Sequence, residues 1–213
     1  MNPVLERFHE IGIIPVVVLE DAKDAAPLAH ALVKGGLPAA EVTFRTAAAK
    51  ESIKAMREAC PDMLVGAGTV LTTEMVDEAI EAGAQFIVSP GFDEEVTKYC
   101  IEKNIPITPG TCTPSDVQNC YKLGLRVVKF FPAEPAGGIK MIKAMAAPYN
   151  MMKFMPTGGI SEKNMEDYLK ENIILCVGGS WMVKADLIKN QEFDKIEEMS
   201  RKAVEKLHEI RSR

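Results

Sequence analysis

The residue best suited to chemistry in this chain is Lys129, which lies inside an apolar segment. Residues 125–132 read LRVVKFFP, a composition typical of a buried strand. Because burial makes the charged ammonium form costly, such a position favours the neutral amine. A neutral primary amine can attack a carbonyl carbon and form a Schiff base. The alternative is that the side chain extends past the end of the strand and places its ammonium group in water.

A second polar group lies in the segment EVTFRT. Successive side chains of a strand point to opposite faces, so Glu41, Thr43 and Arg45 share one face. Val42 and Phe44 occupy the other face and suit packing against helices. The polar face is therefore predicted to point into the interior of the fold.

The same alternation places Lys129 on one face with Val127 and Phe131. We therefore expect Glu41, Arg45 and Lys129 to meet in one water-poor cavity. Burying a carboxylate, a guanidinium and an amine together costs desolvation free energy, so such a cluster indicates a function. The alternative is a structural ion pair that fills the interior.

Two glycine-containing segments indicate a phosphate site. Residues 156–159 read PTGG and residues 177–180 read VGGS, and each segment follows an apolar run and leads towards a helix start. Glycines beside helix N-termini let an anion approach backbone N–H groups closely, and α/β barrels often bind phosphate at their last two loops. Residues 66–69 (GAGT) leave room for a ligand, whereas residues 89–91 (SPG) and 108–111 (TPGT) are rigid turns at the same end.

The elements that must position these groups follow a βα rhythm, because apolar runs alternate with amphipathic segments at a spacing of roughly 20–26 residues. The runs cover residues 13–18, 40–44, 63–65, 85–88, 106–108, 126–131, 153–155 and 173–177. Eight units in 213 residues predict an α/β fold, a (β/α)8 TIM barrel that forms one domain over residues 1–213. An extra N-terminal helix (residues 3–10) and a long C-terminal helix (residues 194–211) flank it. A doubly wound open sheet is the alternative, but the glycine-rich turn after its first strand is absent.

Helix starts are marked by residue types that favour the N-cap position. They are predicted at Asp21, at Thr72 or Thr73, at Asp93, at Thr113 and at Ser161. The start at Thr113 is the sharpest, since a proline and then an acidic residue follow it.

Composition narrows the function classes. A net charge of −5 gives no basic surface for nucleic acid or for an anionic membrane, so neither is an expected partner. No apolar run has the length of a membrane span, and no signal peptide is recognised. The five cysteines are odd in number and form no CxxC pair, which indicates reduced thiols in a cytoplasmic protein. His9, His30 and His208 lie in predicted helices away from the strand ends, so a His-ligated metal is not expected. The sequence has no nicotinamide fingerprint and no P-loop, so no cofactor is expected.

Five segments together resemble the KDPG/KHG aldolase family, which acts on 2-dehydro-3-deoxy-6-phosphogluconate (KDPG) or 4-hydroxy-2-oxoglutarate (KHG). They are EVTFRT (41–46), GAGTV (66–70), VKFFPAE (128–134), PTGGI (156–160) and GGSW (178–181), in the family's order and spacing. The resemblance implies a homotrimeric class I aldolase on a TIM barrel that needs no metal or cofactor. It implies the Entner–Doudoroff cleavage of KDPG to pyruvate and glyceraldehyde 3-phosphate, and also cleavage of KHG to pyruvate and glyoxylate.

The site residues of the family can be carried onto the matching positions of this chain. By resemblance, Lys129 forms the Schiff base, Glu41 moves the protons, and Arg45 with Thr69 holds the carboxylate of pyruvate. The other implied substrate-binding residues are Pro90 at the mouth, Phe131 against the intermediate, Thr157 beside the aldehyde, and Gly158, Gly159, Gly179 and Ser180 at the phosphate.

Three alternatives remain open on the sequence alone. The galactonate epimer of KDPG is a second candidate substrate. Another phosphosugar barrel enzyme, such as an epimerase, has similar phosphate loops but mostly relies on acid/base pairs or bound metal. A non-catalytic sugar-phosphate-binding protein would use Lys129 only to pair with an anion. Among these classes of protein, only a Schiff-base aldolase forms a covalent adduct with pyruvate.

Overall fold

The computed structural model describes residues 2–212. Within them, the strands are Ile13–Val17 (β1), Ala39–Thr43 (β2), Leu64–Gly68 (β3), Ile87–Val88 (β4), Ile107–Thr108 (β5), Gly110–Thr111 (β6), Val127–Phe130 (β7), Lys153–Pro156 (β8) and Val177–Gly179 (β9). All strand pairs are parallel. One sheet has the order β5-β4-β3-β2-β1-β9, and the other has the order β6-β7-β8.

The α-helices of the same residues alternate with the strands. They are Pro3–Ile11 (α1), Ala25–Lys34 (α2), Ala49–Ala59 (α3), Thr73–Glu81 (α4), Glu94–Glu102 (α5), Pro114–Lys122 (α6), Gly138–Ala146 (α7), Met165–Leu169 (α8), Ala185–Lys189 (α9) and Phe193–Arg211 (α10). The predicted first and last helices are confirmed as α1 and α10, each with one end shifted by a single residue. In the described part of the chain, no helix combines the length and the apolar character needed to cross a membrane.

The parallel sheet curls, and its two parts approach each other at two places. Pro109 separates β5 from β6, because proline has no N–H group to donate to the ladder. The N–H of Lys129 on β7 nevertheless donates to Pro109 O at 2.9 Å. On the other side, an isolated parallel bridge joins Thr157 to Gly178. The architecture is therefore an α/β fold in which helices cover a curled parallel sheet.

Two apolar cores lie on the two faces of the sheet. The larger core packs the strands against the helices and includes Ala40, Val42 and Val128. The smaller core lies inside the curl and includes Ala39 and Val127. Adjacent residues of β2 and of β7 thus enter different cores, which confirms the alternation predicted for both strands.

The helix α1 closes one end of the inner core. Phe8 is fully buried, and its ring meets the ring of Phe86 edge to face with the centroids 4.8 Å apart. Phe86 also fills the space beside Gly66, where an added Cβ would lie 2.5 Å from the ring. Because packed side chains block the amino ends of the strands, the carboxyl ends are the open end of the fold.

Most of the predicted helix starts are confirmed. Thr72, Asp93 and Thr113 are the N-caps of α4, α5 and α6, and each side chain accepts a hydrogen bond from a backbone N–H of the first turn. Asp21 caps a short 3-10 helix, Ala22–Asp24, which leads into α2.

The predicted start at Ser161 is wrong. α8 begins at Met165, with Asn164 at the N-cap position. The N–H of Ser161 donates to Asn164 Oδ1 at 2.8 Å, which stabilises a turn in place of the first helical turn.

Candidate active site

Strand alternation brings one lysine and one glutamate together inside the curled sheet. Lys129 on β7 and Glu41 on β2 lie 3.4 Å apart between Nζ and Oε1. Their side chains are only 6% and 1% exposed, so the amine does not reach water past the end of its strand. A buried pair of opposite charge is weak evidence for stability, because desolvation offsets the attraction. Its presence is better explained by chemistry.

Glu41 fits only because its neighbour on β3 is a glycine. A Cβ atom on Gly68 would lie 2.2 Å from Glu41 Oε1. The other carboxylate oxygen, Oε2, is buried and has no hydrogen-bond partner within residues 2–212. A buried acceptor without a partner is costly, so this oxygen is suited to accept a hydrogen bond or a proton from a bound molecule.

The backbone of Lys129 is fixed by the strand beside it. Its N–H donates to Pro109 O at 2.9 Å, and its carbonyl oxygen accepts from Thr111 Oγ1 at 2.9 Å. The ammonium nitrogen lies 5.0 Å from the centroid of the Phe131 ring. The ring of Phe131 therefore forms an apolar wall beside the amine.

Arg45 lies at the mouth and not beside the buried pair. It is exposed, and its Nε donates to Thr69 Oγ1 at 3.2 Å. The expectation that Arg45 shares the water-poor cavity is wrong, because β2 ends at Thr43 and the alternation does not extend into the following turn. The structure does bring Arg45 and Thr69 together, as the two carboxylate-binding roles require. Thr69 has a φ of 57°, a left-handed conformation that is strained for a β-branched residue.

Thr157 and Pro90 lie at the ends of other strands. Thr157 is buried, and its Oγ1 has no partner in the part of the chain that the structure describes. Gly178 on β9 makes room for it, since a Cβ there would lie 2.3 Å from Thr157 Oγ1. Pro90 packs against β6, where a Cβ on Gly110 would lie 2.0 Å from Pro90 O. Gly110 is the residue paired with Lys129, so Pro90 packs on the strand next to Lys129.

The two glycine loops need glycine for different reasons. Gly158 and Gly159 have φ of +100° and +81°, values that favour glycine. A Cβ on Gly179 would lie 2.0 Å from the ring of Trp181, which covers this residue. Ser180 is exposed. Gly158 and Gly159 follow β8 and Ser180 follows β9 at the open end of the fold, whereas Gly179 is the buried last residue of β9.

Gly68 is a neighbour of Glu41 whose role the sequence does not reveal directly. Gly68 is predicted to leave room for a ligand, whereas in the structure it leaves room for Glu41. A signal does exist, because Gly66 and Gly68 alternate on the inward face of β3, next to β2. Alternating glycines on one face indicate that large side chains of neighbouring elements occupy the space.

The arrangement is suited to Schiff-base chemistry. The buried amine can act as a nucleophile, and the Glu41 carboxylate lies at a distance from which it can move protons. Arg45 and Thr69 can bind a carboxylate at the mouth. Among residues 2–212, no group of three or more histidine, cysteine, aspartate or glutamate side chains could hold a metal ion.

Comparison with known sequences gives matches over most of the chain. The family profile described as "Aldolase: KDPG and KHG aldolase" matches residues 4–199. The chain is 45% identical over 193 residues to the KHG/KDPG aldolase of Escherichia coli (strain K12), with 91% of each chain covered.

Two solved structures are similar over nearly the whole fold. One is the KDPG aldolase from Legionella pneumophila with pyruvate captured at low pH as a covalent carbinolamine intermediate (TM-score 0.89, 40% identity, 94% of this chain and 96% of that chain). The other is the 2-keto-3-deoxy-6-phosphogluconate aldolase of Zymomonas mobilis ZM4 with 3-phosphoglycerate (TM-score 0.88, 42% identity, 95% of each chain).

Proposed function

The chain belongs to the KDPG and KHG aldolase family, as its motifs predicted, and on this premise we propose that it is a class I aldolase. The enzyme cleaves KDPG to pyruvate and glyceraldehyde 3-phosphate, and it also cleaves KHG to pyruvate and glyoxylate. The observation that carries this proposal is the buried pair of Lys129 and Glu41, 3.4 Å apart. The carbinolamine in the Legionella pneumophila enzyme supports it, because a carbinolamine is the adduct of an amine and a ketone.

Covalent catalysis begins at Lys129. The neutral Nζ attacks the C2 carbonyl carbon of KDPG to give a carbinolamine, which loses water and becomes an iminium ion. The cationic nitrogen accepts the electron pair of the C3–C4 bond, so that this bond breaks and an enamine remains. Protonation of the enamine at C3, followed by hydrolysis of the imine, releases pyruvate and regenerates the amine.

Glu41 moves the protons of the same sequence. When the C3–C4 bond breaks, the C4 hydroxyl becomes the aldehyde carbonyl and its proton passes to Glu41. The buried and unpartnered Oε2 is the suited acceptor. The carboxylic acid formed in this way then supplies the proton that the enamine takes up.

The remaining site residues bind the two ends of the substrate. Arg45 and Thr69 hold the carboxylate, since their side chains meet at the mouth. Phe131 and Pro90 line the space beside the amine, and Thr157 lies beside the aldehyde carbon. The phosphate lies at Gly158, Gly159, Gly179 and Ser180.

We extend the proposal to the architecture. The sheet is a closed (β/α)8 barrel within one domain over residues 1–213, in which β5 and β6 count as one strand interrupted by Pro109. The pairing order and the bridge between Thr157 and Gly178 support this closure. The barrel acts as a homotrimer, as the family resemblance implies. It acts in the cytoplasm, since all five cysteines are free thiols, which suits a reducing compartment. Light scattering tests the trimer, because its mass is three times the 23.3 kDa of one chain.

Reduction with borohydride in the presence of pyruvate tests the chemistry. The reagent converts an imine into a stable secondary amine, so mass spectrometry should find one pyruvate-derived adduct on the peptide that contains Lys129. Lys143→Arg is the matched control, because Lys143 is an exposed lysine of α7 whose partner is Glu171 at 2.9 Å. The control should be labelled like the wild type. If the wild type formed no adduct, the Schiff-base mechanism would be wrong. The remaining candidates would then be an epimerase-type barrel enzyme and a non-catalytic sugar-phosphate-binding protein.

Pyruvate release from three compounds tests the substrate. KDPG, its galactonate epimer and KHG share the 2-keto acid end and differ at C4 and beyond. The proposal expects KDPG to have the highest kcat/KM. A higher kcat/KM for the galactonate epimer would show that the enzyme prefers the opposite configuration at C4.

A further inference from the structure

The loop after β8 contains two consecutive peptide units that are held by their carbonyl oxygens. Gly158 O accepts a hydrogen bond from the N–H of Glu134 at 3.0 Å. Gly159 O accepts a hydrogen bond from Asn164 Nδ2 at 3.0 Å. One contact comes from the loop after β7 and the other from the N-cap position of α8.

The held carbonyl groups fix the direction of the amide groups. In a trans peptide the C=O and the N–H point in opposite directions. The N–H of Gly159 therefore points away from Glu134, and the N–H of Ile160 points away from Asn164. Within residues 2–212 neither of these N–H groups donates to a protein acceptor. Two neighbouring free N–H groups beside residues with positive φ form a concavity suited to an anion.

The Asn164 amide is itself held in one orientation. Its Oδ1 accepts from the N–H of Ser161 at 2.8 Å, so its Nδ2 is the atom that faces Gly159 O. The asparagine amide carries an acceptor and a donor at its two ends, so one side chain makes both contacts. The turn at residues 161–164, which replaces the first turn of a helix, is what places the side chain under the loop.

A second contact from α8 supports the same loop. Tyr168 is 1% exposed, and its hydroxyl donates to Glu134 Oε1. The aliphatic part of Glu134 fills the space next to Gly159, where a Cβ would lie 2.7 Å from Glu134 Cβ. Asn164 at the N-cap of α8 thus holds Gly159 O, and Tyr168 within α8 holds the Glu134 side chain that packs beside Gly159.

We propose that Asn164 is a positioning residue that orients the N–H groups of Gly159 and Ile160 towards the substrate phosphate. Asn164 does not touch the phosphate. It sets the preference for a phosphorylated substrate through the peptide between Gly159 and Ile160. The inference rests on the proposed function, because it assumes that the phosphate lies at this loop.

The test compares KDPG with its dephosphorylated form, 2-dehydro-3-deoxygluconate, since the two differ only in the phosphate. Asn164→Asp keeps the acceptor for Ser161 but replaces the donor with an oxygen that repels Gly159 O. Asn164→Ala removes the donor without adding a charge that could repel the phosphate directly. In both variants the ratio of kcat/KM for KDPG to that for the dephosphorylated compound should fall by about tenfold or more, the size expected when a hydrogen bond that serves a charged group is lost.

Asn119→Ala is the matched control, because Asn119 is an exposed asparagine of α6. Its ratio should equal that of the wild type. An unchanged ratio in both Asn164 variants, with KDPG still preferred by the wild type, would overturn the positioning role alone. An equal loss for both substrates would also overturn it, because it would show a structural role only. A wild type without preference for KDPG would overturn the phosphate site of the proposed function.

Discussion

In the proposed mechanism, Lys129 is the residue on which the chemistry depends most directly. In Lys129→Arg, retro-aldol turnover and the pyruvate adduct should both be lost, because a guanidinium is never neutral and cannot form the imine. The fold should persist, since the guanidinium is a cation and a hydrogen-bond donor that can pair with the Glu41 carboxylate. Pyruvate release and intact mass after borohydride reduction measure the two losses. Retained cleavage in this variant would contradict the Schiff-base mechanism.

Glu41→Gln should give a different phenotype. The amide keeps the size of the side chain but cannot accept a proton, so cleavage of KDPG should fall by about 10²–10⁴-fold, the usual contribution of a general acid or base. Imine formation with pyruvate should be slowed but detectable in the same preparation. Glu58→Gln, an exposed glutamate of α3, is the control. Near-normal cleavage by Glu41→Gln would leave the carboxylate with a structural role only.

The sequence predicts the central pair at the residue scale but not its surroundings. Glu41 and Lys129 are predictable because strand alternation determines which side chains face inward. Arg45 lies where that rule no longer applies, since β2 ends two residues before it. The sequence does not indicate the contact of Asn164 with Gly159, because an asparagine at a helix start is usually an N-cap. Its contact with Gly159 depends on a turn that replaces the first turn expected at Ser161.

At the scale of elements, the pairing of β2 with β3 determines where the carboxylate lies. In Gly68→Ala the new Cβ would lie 2.2 Å from Glu41 Oε1, so the carboxylate must move. Cleavage should fall by about 10²-fold, because a displacement of about 1 Å in a catalytic group has an effect of that size. Circular dichroism should remain that of the wild type.

Gly91→Ala provides the control for this change. Gly91 lies at the same end of the sheet, and a Cβ there would meet nothing within 4 Å. Its activity should stay within about twofold of the wild type, as is usual for a surface position away from such contacts. Equal losses in both variants would show that any added methyl group at this end disturbs the site.

The apolar runs predict the strands well and their ends less well. The eighth run was expected at residues 173–177, but β9 is Val177–Gly179, and the preceding residues contribute only a bridge at Ile174. The run at 106–108 continues after Pro109 as β6, a strand of two residues that hydrophobic periodicity does not show. Both differences arise because the pairing partner, and not the apolar composition, decides where a short strand begins and ends.

At the scale of the whole molecule, buried thiols make the stability depend on pH. Burial raises the pKa of Cys100 to about 12 and also that of Cys120 to about 12. Above about pH 8.5 these thiols lose their protons only in the unfolded chain, so the unfolding free energy should fall as pH rises, by at most ~1.4 kcal/mol per pH unit for each thiol. Below that pH the thiols are protonated in both states, and their contribution is constant.

Urea unfolding at pH 8 and pH 10 measures this dependence. The double variant Cys100→Ala/Cys120→Ala should be less stable at pH 8, because two buried side chains become smaller, but it should lose less stability between the two pH values. Cys112→Ala, which changes a half-buried cysteine, is the control. Equal losses in the wild type and the double variant would assign the pH dependence to other groups.

The packing of Phe8 against Phe86 under the sheet has a kinetic consequence. Because this end is blocked, molecules enter and leave only at the carboxyl ends of the strands. In the proposed mechanism, cleavage of the C3–C4 bond frees the aldehyde while the pyruvate half is still covalently bound to Lys129. Glyceraldehyde 3-phosphate must therefore leave first and pyruvate second, and in the synthetic direction pyruvate must bind first. The covalent intermediate on Lys129 thus sets a compulsory order of product release, and the aromatic pair closes the opposite end of the sheet.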